Sequence, residues 1–251
     1  MNKKIWITGA SSGIGRALAL KFAKEGWQVA ASARRENLLH DLNKENSNIH
    51  PFPLNVADFE NTKNVFENIL KKFGDLNLCI LGAAIYDPNY EKEINEKKIR
   101  EIMEINFFGV VNSIKTVEKY FKIKKEGHIS IISSVAGYRG LPKSEGYGAS
   151  KAALNNLAES FYLDFKKHNV RISLISPGFI KTPMTDKNKF KMPFIKSAEF
   201  AANKIYKGTV YGKSFEIDFP KQLSIILKIF RILPYQIYFF LIEKLTKNTK
   251  R

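Results

Sequence analysis

Three side chains in this 251-residue sequence have the types and spacing to move a proton: Ser134, Tyr147 and Lys151. They fall within HISIISSVAGYRGLPKSEGYGASK, residues 128–151. His128 to Ser133 is rich in β-branched apolar residues and reads as a buried strand that ends at Ser133-Ser134. A glycine-rich loop follows, and a helix begins near Tyr147. Tyr147 and Lys151 are four residues apart, so on a helix they share a face, one turn apart. A strand-end hydroxyl facing a phenol and an ammonium can exchange a proton with a carbonyl or alcohol oxygen. Free tyrosine titrates near about 10, and a neighbouring ammonium favours the phenolate. The expectation is that Lys151 acidifies Tyr147 while Ser134 holds the substrate oxygen. Spacing alone is a weak signal, because Tyr120/Lys124 and Tyr162/Lys166 repeat it. Only Tyr147/Lys151 follows a strand-end serine, thirteen residues upstream.

The elements that must position this trio alternate regularly. Lys3 to Thr8 reads as an apolar strand, followed by Gly9-Ala-Ser-Ser-Gly13-Ile-Gly15 and a helix with Ala17, Leu18, Phe22 and Ala23 on its apolar side. Glycines there let the backbone approach a ligand, and the helix N-terminus offers unpaired N–H groups and partial positive charge to a pyrophosphate. Strands are expected at Gln28–Ser32, His50–Leu54, Leu76–Leu81, Val170–Ile175 and Ser214–Ile217. Helices are expected at 36–45, 58–73, 93–121 and 197–207, with a loop over Gly82–Asn89. Alternation of this kind implies an α/β fold, a doubly wound parallel sheet covered on both faces. The second strand ends without an acidic residue for a ribose 2′-hydroxyl; Arg34 and Arg35 stand there instead. That points to a 2′-phosphate, with Arg34 the first contact and Arg35 in support, and so to NADP(H) over NAD(H). The alternative is that both arginines only solvate the next helix.

The length fits one such domain, residues 1–220, with a tail at 221–251. The one cysteine, Cys79, sits in an apolar run, so no internal disulfide is possible, which suits a reducing, cytoplasmic setting. No apolar leader follows Met1. The net charge of +17 admits nucleic acid, anionic lipid or phosphorylated ligands as partners. No nucleic-acid-reading signature accompanies it, so a nucleic-acid role is set aside, and no metal site is expected.

In their order these residues resemble the short-chain dehydrogenase/reductases, from residue 1 to about 218. Thr8-Gly9-x-x-x-Gly13-x-Gly15 resembles the family's cofactor loop, and Asn106 in Ile105-Asn106-Phe-Phe-Gly109 its helix asparagine. Ser134, Tyr147 and Lys151 resemble the catalytic trio, and Pro177-Gly178-Phe-Ile-Lys-Thr182 the segment that grips the nicotinamide carboxamide. The resemblance implies that Tyr147 transfers the proton, Lys151 also binds the nicotinamide ribose, Ser134 orients substrate and Asn106 relays protons through water. It implies that Gly9, Ser11, Gly13, Ile14 and Gly15 wrap the pyrophosphate and adenosine side, and that Ile180 and Thr182 meet the carboxamide. It also implies a homo-oligomer. Two departures stand out. Leu81-Gly82-Ala83-Ala84 replaces the usual Asn-Asn-Ala-Gly, with only Ala83 matching. Asn55 replaces an aspartate that faces the adenine. The expected activity is hydride transfer between NADP(H) and a small carbonyl or alcohol; the alternative is a catalytically silent NADP(H)-binding regulatory or scaffold protein.

Residues 183–197 occupy the place of a substrate lid. Met184, Phe190, Met192, Phe194 and Ile195 either line an apolar substrate pocket or dock on the core. In the tail, Leu223 to Ile242 is mostly apolar, but Lys228, Arg231 and Pro234 interrupt it as a membrane span. On a helix Lys221, Ser224, Lys228 and Arg231 form a polar stripe opposite a wide apolar face. Seven basic residues and one acidic residue lie in 221–251. The tail therefore reads either as a helix on an anionic membrane surface, peripheral on its inner face, or as a helix packed on protein.

Overall fold

Alternating apolar runs and amphipathic stretches become strands and helices in the computed structural model, which describes residues 3–88 and 93–246. Asn89, the end of the expected loop, and residues 247–251 of the tail lie outside the described residues. In chain order the elements are β1 (Lys4–Thr8), α1 (Gly13–Lys24), β2 (Gln28–Ser32), α2 (Glu36–Glu45), β3 (Ile49–Pro51), α3 (Phe59–Phe73) and β4 (Leu78–Leu81). There follow α4 (Glu96–Met103), α5 (Gly109–Lys124), β5 (Gly127–Ile132), α6 (Glu145–Lys167), β6 (Val170–Pro177), α7 (Ala198–Val210), β7 (Glu216–Phe219), α8 (Lys221–Ile232) and α9 (Tyr235–Thr246). The strands form one sheet in the order β3-β2-β1-β4-β5-β6-β7, every pair parallel. This is the Rossmann-type architecture.

Both faces of the sheet are covered, which is why its strands carry continuous apolar runs rather than alternation. On one face Ile5, Ile7, Val29 and Ile80 pack with Leu18 and Phe22 of α1 and Ala201 and Ile205 of α7. On the other, Trp6, Cys79, Ile129 and Ile131 pack with Phe66, Val117, Phe121, Leu154 and Phe165 from α3, α5 and α6. The order reverses between β1 and β4, and a crevice opens beyond the carboxyl ends of those strands.

Local chemistry sets the boundaries. Asp58 caps α3 by accepting from Asn61 N at 2.9 Å, and Gly74 closes it at φ 72°. The third strand is shorter than expected because Pro51 and Pro53 have no N–H to donate. The backbone nevertheless follows β2 to Leu54, through Phe52 N to Ala31 O (2.9 Å) and Leu54 N to Ala33 O (3.0 Å). The single helix expected from 93 to 121 starts at Glu96, runs to Lys124, and contains a π-helical turn at Glu104–Phe108. That turn carries Asn106, which is fully buried.

The tail differs most from expectation. It is two helices rather than one, broken at Leu233-Pro234, because proline disfavours helical backbone in the residue before it. Part of its polar stripe faces the protein. Ser224 is fully buried, and Lys228 Nζ reaches Glu216 at 2.7 Å and Asp218 at 3.3 Å, both on β7. Lys221 Nζ also pairs with Asp218, at 2.5 Å. Leu223 packs into a small cluster with Val135, Tyr138, Phe179 and Leu227. Among the described residues no helix is long and apolar enough to cross a membrane.

Candidate active site

A cleft of about 470 Å³ lies at the crevice, and most of the expected site residues line it. Gly9 and Ser11 come from the loop between β1 and α1, and Gly13, Ile14 and Gly15 from the first turn of α1. Arg34 and Arg35 follow β2, Asn55 follows β3, and Ala83 follows β4. Ser134, Tyr147 and Lys151 line it too, as do Ile180 and Thr182 beyond β6. Asn106 does not.

The glycine loop is shaped for a close approach. Gly9 N and Ala10 N both donate to Ser32 O, at 2.8 and 3.0 Å, which fixes the loop to the end of β2. A Cβ on Gly15 would lie 2.1 Å from Gly9 O, so no side chain fits there. The first turn of α1 holds no acidic residue, so its unpaired N–H groups and dipole are available to an anion. Arg35 lies across the same loop, donating from Nη2 to Ser11 Oγ at 2.8 Å and to Ser12 Oγ at 2.7 Å. Asn55 Oδ1 accepts from Ala57 N at 3.3 Å, in a local turn.

The departure at residues 81–84 has a steric basis. Thr8 Oγ1 accepts from Gly82 N (3.0 Å) and Ala83 N (3.3 Å), tying the end of β1 to the chain after β4. A Cβ on Gly82 would come within 2.7 Å of Ile132 Cδ1, so glycine is the residue that fits beside this isoleucine. Leu81 is buried in the sheet.

Ser134 is set opposite Tyr147 and Lys151 by a staple between β5 and α6. Ser133 Oγ donates to Asn155 Oδ1 at 2.6 Å, and Asn155 Nδ2 donates to Gly137 O at 3.1 Å. Gly137 packs so closely on α6 that a Cβ there would sit 2.7 Å from the Lys151 carbonyl carbon. Lys151 Nζ donates to Ile132 O at 2.9 Å and lies 5.5 Å from the centre of the Tyr147 ring. Lys151 is only 2% exposed.

The electrostatics correct the expected acidification. Burial pushes the Tyr147 phenol up to about 12, and its hydrogen bond with Ser134 only partly opposes this. Burial also brings Lys151 down to about 7. A lysine that loses its own charge by desolvation cannot strongly stabilise a phenolate beside it. Tyr147 is thus held as a neutral phenol, prepared to give a proton rather than to take one.

The Asn106 side chain is hydrogen-bonded to groups around it. Its Oδ1 accepts from Ile85 N (2.8 Å), and its Nδ2 donates to Ile85 O (3.0 Å) and Ser150 Oγ (3.2 Å). It holds the loop after β4 against α6. That loop presents Tyr86. The Tyr86 ring meets the Tyr147 ring edge-on, centres 5.0 Å apart, and its hydroxyl donates to Asn188 Oδ1 at 2.7 Å. An aromatic residue soon after a β4-end glycine was the only sequence signal for it. His128 stays in the sheet interior, 2.8 Å from Ser173 Oγ, with burial holding it neutral at a pKa of about 3.

The expected lid is gripped at both ends by one parallel bridge, Ile180 to Lys196, with Lys181 N to Lys196 O at 2.8 Å. Of its five apolar side chains only Met184 lines the cleft. Phe190 stacks edge-on with Phe179 at 5.8 Å, while Phe194 and Ile195 are exposed.

Residues 3–192 match the profile of the family described as short chain dehydrogenase. The chain belongs to that family. Among curated short-chain dehydrogenase relatives, a 3-oxoacyl-[acyl-carrier-protein] reductase of Thermotoga maritima is 34% identical over 84% of this chain and 85% of its own. An uncharacterized oxidoreductase of Myxococcus xanthus is 33% identical over 92% and 93%. Among solved structures, ElxO with NADP bound is 27% identical, with a TM-score of 0.78 over 87% of this chain and 98% of its own. A short-chain dehydrogenase from Streptomyces avermitilis, at 21% identity, shares the fold over the whole of both chains with a TM-score of 0.84. The cleft has features that suit a dinucleotide, namely the acid-free start of α1 and the arginines after β2.

Proposed function

We propose that the protein interconverts a small, largely apolar carbonyl compound and its alcohol with NADP(H), and that Tyr147 handles the proton. The observation that carries this reading is the convergence of Ser134, Tyr147 and Lys151 on the cleft that also holds the glycine loop. A bound nicotinamide supplies or accepts the hydride. The chain's own residues do the rest. Ser134 orients the substrate oxygen and Tyr147 donates its phenolic proton to that oxygen during reduction, while the fraction of Lys151 still protonated near its lowered pKa of about 7 only partly offsets the charge left on the phenol. Asn106 and the Ser133–Asn155 staple are positioning residues. Arg34 and Arg35 supply positive charge for a 2′-phosphate. Ile85, Tyr86, Ile105 and Met184 give the substrate side an apolar lining. The ElxO likeness supports NADPH, and the 3-oxoacyl reductase relatives suggest 3-oxoacyl thioesters as the first compounds to try. As elsewhere in the family, the working form is a homo-oligomer.

The test is NADPH consumption over a panel of aldehydes, ketones and 3-oxoacyl thioesters, for the wild type and Tyr147→Phe. Loss of the general acid is expected to cost roughly 10²–10⁴ in turnover while NADPH binding persists. Binding of NADPH without turnover of any panel member by the wild type would favour a silent cofactor-binding protein.

A further inference from the structure

An amphipathic helix on a protein ordinarily turns its apolar face inward. Helix α8 does the reverse for much of its length. Ser224 and Lys228 face the body, the lysine held by Glu216 and Asp218, while Ile225, Ile226, Ile229 and Ile232 point outward with 40–80% of their surface exposed. Helix α9 continues the exposure with Ile237, Phe239 and Phe240. Seven large apolar side chains between residues 225 and 240 are thus exposed in one stretch of chain, where a monomer usually scatters such residues singly.

The surface is held in place rather than loosely attached. Arg139, in the loop after Ser134, donates to Leu233 O at 2.7 Å and to Phe230 O, satisfying carbonyls at the end of α8. Its guanidinium lies 4.0 Å from the centre of the Tyr238 ring and 4.7 Å from that of Tyr235. Tyr238 in turn donates to Gly140 O. The two helices are thereby fixed to the loop that leads from Ser134 to α6.

Charge decides what covers this surface. Apart from Lys221 and Lys228, which are paired with β7, residues 221–251 hold five basic side chains and one acidic one, Glu243. A second copy placed on this face would bring two such basic segments together. An anionic bilayer would accept the isoleucines and aromatics at its acyl boundary and neutralise the basic residues at its headgroups. We infer that α8 and α9 form a docking surface for an anionic phospholipid membrane. The inner side of α8 rests on the site's loops through Leu223, since a Cβ on Gly178 would lie 2.8 Å from its Cδ2, and the outer side is the one that would meet lipid.

Flotation of the full chain with vesicles tests this without reference to catalysis. The chain is expected to float with an equal mixture of phosphatidylcholine and phosphatidylglycerol and to remain behind with phosphatidylcholine alone. Raising salt from about 0.1 M to about 1 M is expected to release much of it. The double variant Ile229→Glu/Phe240→Glu changes side chains that are about half exposed, at 51% and 55%, and is expected to fold, keep its NADPH turnover and lose flotation. Arg231→Gln/Lys244→Gln is expected to bind the mixed vesicles roughly thirtyfold more weakly. Failure of the wild type to float with the mixed vesicles at low salt overturns the inference. So does equal flotation with both vesicle types, or a smaller sedimentation coefficient for the Glu variant in the absence of lipid, which would show that a second copy covers the surface.

Discussion

Replacing Lys151 with methionine is expected to stabilise the protein at neutral pH while removing its activity. Burial lowers the lysine from 10.5 to about 7. Between those values the unfolded chain binds a proton that the folded chain does not, so the wild type gains stability as pH rises from about 7 to about 10.5. At pH 7 the remaining penalty is about 4 kcal/mol, from about three units at 1.36 kcal/mol each. Methionine is of similar length and adaptable shape, and it carries no charge. It forfeits the Lys151 hydrogen bond to Ile132 O, at about 1–2 kcal/mol. The net gain is about 2 kcal/mol at pH 7, or roughly 4–8 °C in Tm for a domain of this size. Above about pH 10.5 the lysine is neutral in both states, so only the lost hydrogen bond remains and the variant is then the less stable. The two stability curves are expected to cross near about pH 9. Denaturant unfolding of both proteins from pH 6 to pH 10, followed by fluorescence, measures this. A Met variant less stable at pH 7, or a difference that does not change with pH, refutes the reasoning.

Three further outcomes follow from the same geometry. Gly15→Ala places a Cβ against the Gly9 carbonyl and is expected to abolish NADPH binding in a fluorescence titration, with the far-ultraviolet dichroism unchanged. Arg34→Ala/Arg35→Ala is expected to cut the preference for NADPH over NADH by about 10- to 100-fold, read as the ratio of the two dissociation constants. Because Tyr147 is held up at about 12, alcohol oxidation is expected to accelerate about tenfold per pH unit on the alkaline side, as the phenolate becomes available; a flat profile from pH 8 to pH 10 counts against Tyr147 as the base.

The parts of the site that depend on backbone pattern were legible in the sequence. Glycines between a first strand and a first helix, and a serine at a strand end, specify places in a parallel sheet, and the cleft gathers them. The three Tyr/Lys pairs show how context resolves an ambiguous spacing. Tyr120 and Lys124 both reach Asp75, each at 2.6 Å, and close the turn between α3 and β4. Tyr162 and Lys166 meet only ring to ammonium, at 5.9 Å. Features that depend on burial were not legible. The direction of the Tyr147 shift turns on how far Lys151 is desolvated, and no spacing encodes that. The π-helical turn directs Asn106 to Ile85, and a simple 3.6-residue period does not reveal such a turn. The orientation of α8 followed from Glu216 and Asp218, which lie on a different element and claim its lysines.

Gly82 and Ile132 are reciprocal in size, one side chain occupying the room the other leaves. Asparagine at 82 alone would press on the end of the isoleucine side chain, and alanine at 132 alone would widen the cleft that both residues line. The double change is expected to be milder than its two halves together, so the two positions are coupled in what each can become.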